Sequence, residues 1–303
     1  MASTYEPEQA VAAAAARRGI AVLFRRLFKE KPHGAAGMIV VLLFFLIGVF
    51  ADQLAPHDYA DQDVPRRLER PSAEFWLGTD QFGRDSLSRI IHGARISMVV
   101  GLLASAFTVL TATLLGVVSG YWGGTFDLVL QRFVDAVMSF PWLFLVLTAM
   151  LLLGPSIMSI AVVIGVPWGI ANVRTIRSVV LSVREHAYVE AARATGARPL
   201  RILAQHVLPQ TIAPNIILFT ITLGSAIIGE ATVSFLGFGI PPPQPTWGGM
   251  LSAEGRKYME IAPALALWPG LCLAVVVFAI NIFGDALRDL LDPRLRGGAG
   301  RFG

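Results

Sequence analysis

Residues 184–210 read REHAYVEAARATGARPLRILAQHVLPQ, with four arginines, two glutamates and two histidines set between long apolar runs. From Arg184 to Thr195 nothing breaks a helix, and the alanines favour one. Gly196 supplies a residue able to adopt the left-handed conformation that ends a helix. Three residues later, Pro199 suits the first turn of a second helix, where its missing N–H costs nothing. Leu200, Leu203 and Val207 then form one stripe, while Arg198, Arg201 and Gln205 point elsewhere. Pro209 and Pro214 are expected to interrupt before the chain enters its next apolar run. A basic loop would account for the arginines alone. The ordered Gly–Pro turn and the second apolar stripe call for a protein docking surface as well. A DNA-reading helix-turn-helix is disfavoured by apolar tethers on both sides and by sparse base-reading side chains, so no nucleic-acid partner is expected.

Composition places this segment in its setting. Of 303 residues, 54% are hydrophobic and 15% charged, against about 25% charged in a soluble domain. The chain therefore reads as an integral, all-α membrane protein whose first partner is the lipid bilayer. The single cysteine, Cys272, excludes a disulfide framework and a thiolate metal cluster. The lysines are Lys29, Lys31 and Lys257, none in a glycine-rich phosphate loop, and no G-x-x-x-x-G-K-[ST] motif occurs. The five histidines are scattered and none sits in a nucleophile motif, so no catalytic or metal-ligating residue is assigned.

A hydrocarbon core of roughly 30 Å requires about 20 mostly apolar residues. Six stretches qualify: 35–53, 96–119, 128–153, 157–172, 213–236 and 263–284. The fourth is short and interrupted by Gly165, Pro167 and Gly169, which a packed helical bundle tolerates better than lipid does. With both termini cytoplasmic, inside segments hold 16 Lys/Arg and outside segments eight, as the positive-inside rule favours. The resulting division is a cytoplasmic tail at 1–34, a first span at 35–53 and an extracytoplasmic loop at 54–95. A membrane core at 96–284 follows, containing the 184–210 segment, and then a cytoplasmic tail at 285–303. No early apolar core with a cleavage site suggests a signal peptide. Within residues 17–31, Ile20, Leu23, Phe24, Leu27 and Phe28 share one helical face opposite Arg18, Arg25, Arg26 and Lys29, which suits the cytoplasmic lipid surface.

The residues at 190–209 resemble the EAA loop of permease subunits in bacterial ABC importers, whose pattern is EAA, three residues, Gly, nine residues, Ile, one residue, Leu-Pro. Glu190, Ala191, Ala192, Gly196, Leu208 and Pro209 match, and His206 stands where the general pattern has Ile. A His at that place is common in the peptide and nickel importers. Three further stretches, WLGTDQFGRDSLSRIIHGARIS at 76–97, SFLGFGIPPPQPTWGGML at 234–251 and NIFGDALRDLLDPRL at 281–295, resemble the second permease of dipeptide and oligopeptide importers. The likeness runs from about residue 35 to 296 and leaves out the alanine-rich first 33 residues.

The resemblance implies a six-span type I importer permease in a bacterial cell membrane, translocating di- or oligopeptides. It implies a homologous partner permease, two cytoplasmic ATPase domains carrying ATP and Mg, and an external solute-binding protein; this chain itself binds no cofactor. ATPase coupling falls to Glu190, Ala191, Ala192 and Gly196 with Arg193, Arg198 and Pro199. Glu190 is expected to fix the loop by a hydrogen bond or ion pair, and Gly196 to permit the turn and a close backbone approach. Nickel, glutathione and haem importers share the pattern and remain open as substrates.

Four polar residues stand within or beside the spans. Glu230, in GSAIIGEATVSFLG, is costly in lipid and faces protein or water, as a structural or pathway-lining group. Arg132 lies three residues from Asp135, close enough for a same-helix pair, and Asp127 lies two turns from Asp135 on one face. A proton-coupled carrier using Glu230 and Asp135 is the rival reading; an intramembrane hydrolase lacks a nucleophile–base pair. The proline-rich 239–251 segment with Trp247 suits either contact with a binding protein or an interfacial anchor.

Overall fold

The computed structural model describes residues 22, 24–252, 257, 258 and 260–291. Among them the chain is helical, and the one β pairing is the isolated Thr79–Asp85 bridge. Four continuous helices are long and apolar enough to cross a membrane: α1 (Pro32–Val49), α2 (Ser86–Trp122), α8 (Pro199–Phe235) and α10 (Ala264–Leu291). Between α2 and α8 lie α3 (Gly124–Met138), α4 (Trp142–Leu153), α5 (Ile157–Ala171), α6 (Val173–Arg184) and α7 (Ala187–Ala194), and the short α9 (Trp247–Met250) precedes α10.

The apolar helices sort their faces by residue size. On α1, Gly34, Gly37, Met38, Val41 and Phe44 are buried at helical spacing, while Leu42, Leu43 and Leu46 are exposed, as a lipid-facing side requires. Gly34 abuts Ala286, and a Cβ on Gly37 would lie 2.7 Å from the Ala279 carbonyl of α10, so the two backbones approach closely. At the end of this pair, Lys31 Nζ meets Asp289 Oδ2 at 2.6 Å. Helix α2 is the spine: its buried stripe includes Ser97, Gly101, Ala104, Thr108, Ala112 and Gly116. Small residues there admit Gly165 and Gly169 of α5 against Ala104 and Thr111, and Gly116 against Val173 of α6.

Several boundaries differ from the sequence expectation. Helix α2 begins at Ser86 rather than 96, because the Asp85 carboxylate accepts from the Leu87 and Ser88 amides and caps a polar first turn. The expected span 128–153 is two helices meeting at 87° across Ser139–Pro141, and 157–172 continues into α6 through a 45° bend at Asn172. Arg132 is an exposed side chain on α3, the first half of that bent pair. Pro209 and Pro214 do not interrupt α8. A π turn at Leu203–Val207, in which the Leu208 amide bonds the Leu203 carbonyl, widens the helix just before Pro209, whose missing N–H then leaves no break.

Of the N-terminal amphipathic segment, Ile20, Leu23 and Arg18 lie outside the described residues. Residues 24–30 are helical, with Leu27 buried against Ala35, Met38, Ala286 and Leu290 and with Phe24 and Phe28 exposed. The 55–85 loop is ordered by charge. Arg66 binds Glu69 and Glu74, each at 2.8 Å. Buried Arg84 binds Asp80 at 2.6 Å, and Arg89 donates to the carbonyls of Tyr59 and Pro243.

Candidate functional site

The 184–210 segment folds as two helices around a turn, with one difference from expectation. Instead of a single helix from Arg184 to Thr195, α6 ends at Arg184 and α7 starts afresh at Ala187, with extended His186 between them. The His186 ring nitrogen Nδ1 lies 2.8 Å from the Ser182 carbonyl and so occupies an acceptor at the end of α6. Val189, fully buried, is the buried residue of α7. It packs among Ile176, Val180 and Val183 of α6 and Ile202, Leu203 and Val207 of α8. Burying such a side chain is worth roughly 1.5–3 kcal/mol.

Helix α7 ends in a two-bond terminator. The Ala197 amide donates to the Ala192 carbonyl at 3.0 Å and the Gly196 amide to the Arg193 carbonyl at 2.9 Å, with Gly196 at φ +79°. This is the pairing expected when glycine takes the left-handed position after a helix. Arg198 is extended and Pro199 opens α8. Glu190, Ala191, Arg193, Arg198 and Pro199 are exposed and Ala192 is half-buried. The Arg193 guanidinium lies over the Tyr121 ring, 5.6 Å from its centre. Among the described residues the Glu190 side chain makes no hydrogen bond or ion pair, so it does not fix the loop from within. Its exposed carboxylate is free for an external partner. Leu200 is also exposed. Ile202 takes its place on the stripe, because the π turn rotates the first turn of α8 relative to the rest.

Beside α7 the acidic face of α3 meets the basic face of α6. Arg177 binds Asp127 through Nε at 2.7 Å and Nη2 at 2.5 Å, and Ser119 donates to the same carboxylate. Arg174 binds Asp135 and also donates to Gln131 at 3.2 Å. Arg132 reaches Asp135 at 3.2 Å on the exposed surface. Arg184 donates to the Gly120 carbonyl at 3.1 Å. The anticipated same-helix pair is therefore present but peripheral, and the stronger partners come from 39 to 50 positions away. Their signal in the sequence was the matched spacing: Asp127, Gln131 and Asp135 on one helical face, Arg174 and Arg177 on another.

Glu230 sits at the opposite end of the bundle, fully buried. It accepts hydrogen bonds from Ser234 Oγ at 2.7 Å and Ser97 Oγ at 3.2 Å. Both partners are hydroxyls, and no cation pairs with it among the described residues. Thr246 caps α9 by accepting from the Gly249 amide at 2.9 Å. Buried Trp247 follows, its indole donating to the Ile90 carbonyl at 3.0 Å, and Gly248 lies against Ala231. Glu230 and Asp135 are at opposite ends of the bundle, each satisfied by its own neighbours. Ser97 and Ser234 carry no charge and lie on different helices, which is why the sequence did not single them out.

Comparison with known proteins places these features in a lineage. The model described as "Binding-protein-dependent transport system inner membrane component" matches residues 112–297. That described as "N-terminal TM domain of oligopeptide transport permease C" matches 21–71, reaching back into the segment that the sequence motifs leave out. The dipeptide transport system permease protein DppC of Alkalihalophilus pseudofirmus is 39% identical, covering 90% of this chain and 89% of that protein. A probable peptide ABC transporter permease of Sinorhizobium fredii is 44% identical over 89% of this chain and 91% of its own length. The glutathione transport system permease protein GsiD of Pectobacterium atrosepticum is 37% identical over 90% of each chain. Among solved structures, a chain of the MetNI methionine ABC transporter in inward-facing conformations superposes with a TM-score of 0.50 at 18% identity. It covers 67% of this chain and 96% of that one, a likeness of fold.

Proposed function

From its membership in the binding-protein-dependent inner membrane component family, to which this chain belongs, we infer the role of a permease subunit in a dipeptide or oligopeptide ABC importer. It is a transport subunit rather than an enzyme. The six membrane passages are α1, α2, the bent pair α3–α4, the bent pair α5–α6, α8 and α10. Both termini and α7 face the cytoplasm. The Lys31–Asp289 pair, which joins the start of α1 to the end of α10, and the arginines of residues 174–201 support that orientation.

The partners are a homologous permease, two ATPase domains that bind ATP and Mg, and an external solute-binding protein in a bacterial cell membrane. The observation that carries the coupling role is α7 itself: an eight-residue helix anchored by Val189, with Glu190, Ala191 and Arg193 presented outward. Closure of the ATPase domains pushes α7, and α7 moves α6 and α8 through the shared Val189 cluster. By linkage, the loaded permease acts back on nucleotide affinity to the same extent. Similarity to the glutathione permease keeps that peptide thiol among the candidate solutes.

Gly196→Val tests this reading. At φ +79° no neighbouring atom limits a side chain within 4 Å, so the penalty is conformational, about 1–2 kcal/mol and more for a β-branched residue. Membrane insertion should persist, while peptide uptake and substrate-stimulated ATPase activity of the assembled importer are lost. Normal uptake by that variant would sink the coupling assignment.

A further inference from the structure

A cavity of about 760 Å³ opens between the α5–α6 bend, α8 and the end of α10. It lies beside Asn172, where the 45° bend occurs, and Pro214 within the continuous α8. Its walls are largely apolar, with Ile217 and Ile221 prominent. Several of the polar groups on the walls already donate within the helices, while the Thr175 hydroxyl and the Trp168 indole, also on the walls, make no such bond among the described residues. Asn172 Nδ2 gives its hydrogen bond to the Trp168 carbonyl, and the Thr222 and Ser225 hydroxyls give theirs to Leu218 and Ile221. Their oxygens keep acceptor capacity suited to peptide N–H groups, and the remaining N–H and O–H groups can meet peptide carbonyls.

Among the described residues one cation lines the cavity, and no carboxylate does. Arg288 stands on the wall without a hydrogen bond or ion pair among the described residues. The acids of the same turn serve elsewhere: Asp285 and Asp289 line a separate groove against Glu30–Gly34, and Lys31 holds Asp289. A guanidinium that only donates calls for an anionic oxygen. Resting on the peptide reading above, we propose that this cavity is the release passage for the peptide and that Arg288 is its contact for the terminal carboxylate. Side chains differ from one peptide to the next, but the main-chain amides and the carboxylate do not. An apolar wall with acceptors and one carboxylate contact therefore serves every sequence alike. The contact is open to water, so it guides the peptide without retaining it.

The reconstituted importer provides the test, with Cys272→Ala and with Ser225→Cys as a probe in the cavity. The rate of modification by a sulfonate-bearing thiosulfonate, relative to a trimethylammonium one, reports the local potential. Arg288→Gln should lower that ratio about threefold or more, and Arg288→Lys should leave it within about twofold. With Arg288 present, trialanine should slow the modification and its C-terminal amide should not. An unchanged ratio in Arg288→Gln, or equal protection by the acid and the amide, overturns the proposal. Failure of the unsubstituted importer to take up trialanine would instead count against the peptide reading, and the charge ratio would still decide the role of Arg288.

Discussion

Arg177 holds Asp127 with two nitrogens, Nε to Oδ1 at 2.7 Å and Nη2 to Oδ2 at 2.5 Å, joining helices that are 50 positions apart in the chain. Two parallel bonds to a largely buried carboxylate fix orientation as well as distance. Arg177→Ala leaves Asp127 without its cation and should destabilise the assembled complex by about 1–3 kcal/mol, less than for a fully buried pair because Arg177 is partly exposed. Thermal unfolding in detergent measures this. The exchanged pair Asp127→Arg with Arg177→Asp should recover part of the loss, and no recovery would mean that the pair is incidental.

Val189 anchors α7 through one side chain. Val189→Asp puts a charge into the cluster of Ile176, Val180 and Ile202 and should release α7 while the membrane helices still insert. Co-purification of ATPase subunits should then fall sharply, and Val189→Ile should retain it. Full recovery of the ATPase with the Asp variant would show that docking does not depend on a seated α7.

Glu230 ties α2 to α8 through the Ser97 and Ser234 hydroxyls, next to Ala231, against which Gly248 of α9 packs. Glu230→Ala should strand those donors and leave a void, a combined cost of about 2–4 kcal/mol, and should loosen the Trp247–Met250 turn. Glu230→Gln, similar in volume, should be milder. Reactivity of a cysteine at Gly249 should rise in the Ala variant first; equal reactivity in both would assign the effect to charge and not to packing.

The 55–85 loop should respond to acid. Hydrogen bonds from Arg66, the largest cause, hold the Glu74 carboxyl below its usual range. A depressed native pKa contributes stability above the unfolded carboxylate value, about 4.3, and that contribution is lost as pH falls through the native value. Quenching of the exposed Trp76 should therefore stay constant from neutral pH downward and change only in the acid range. Glu74→Gln should remove part of that transition.

The apolar runs and the Gly196–Pro199 turn were legible because each rests on local chemistry: hydropathy over a lipid thickness, a left-handed glycine, a first-turn proline. The break at Ser139–Pro141 was not, since hydropathy reads straight through it and composition carries no angle. Pro209 was misread for a related reason. A proline signals a missing donor, but not whether a π turn upstream has already adjusted the backbone. Arg174 and Arg177 looked like orientation charges, and only the packing of α3 on α6 turned them into ligands for Asp135 and Asp127. Glu190 went the other way: its position in the motif was plain, yet its lack of an internal partner is visible only in three dimensions.

Helix α8 runs without a break from Pro199, beside the α7 turn, to Phe235, one turn beyond Glu230. At 1.5 Å per residue its 37 residues span roughly 55 Å, well beyond the hydrocarbon core. A rigid rod of that length, pivoting at its middle, would act as a seesaw beam. A tilt of about 5° about its midpoint carries each tip roughly 2 Å in opposite directions. A push that narrows one mouth of the protein would then widen the other, with no relay of side chains needed between them.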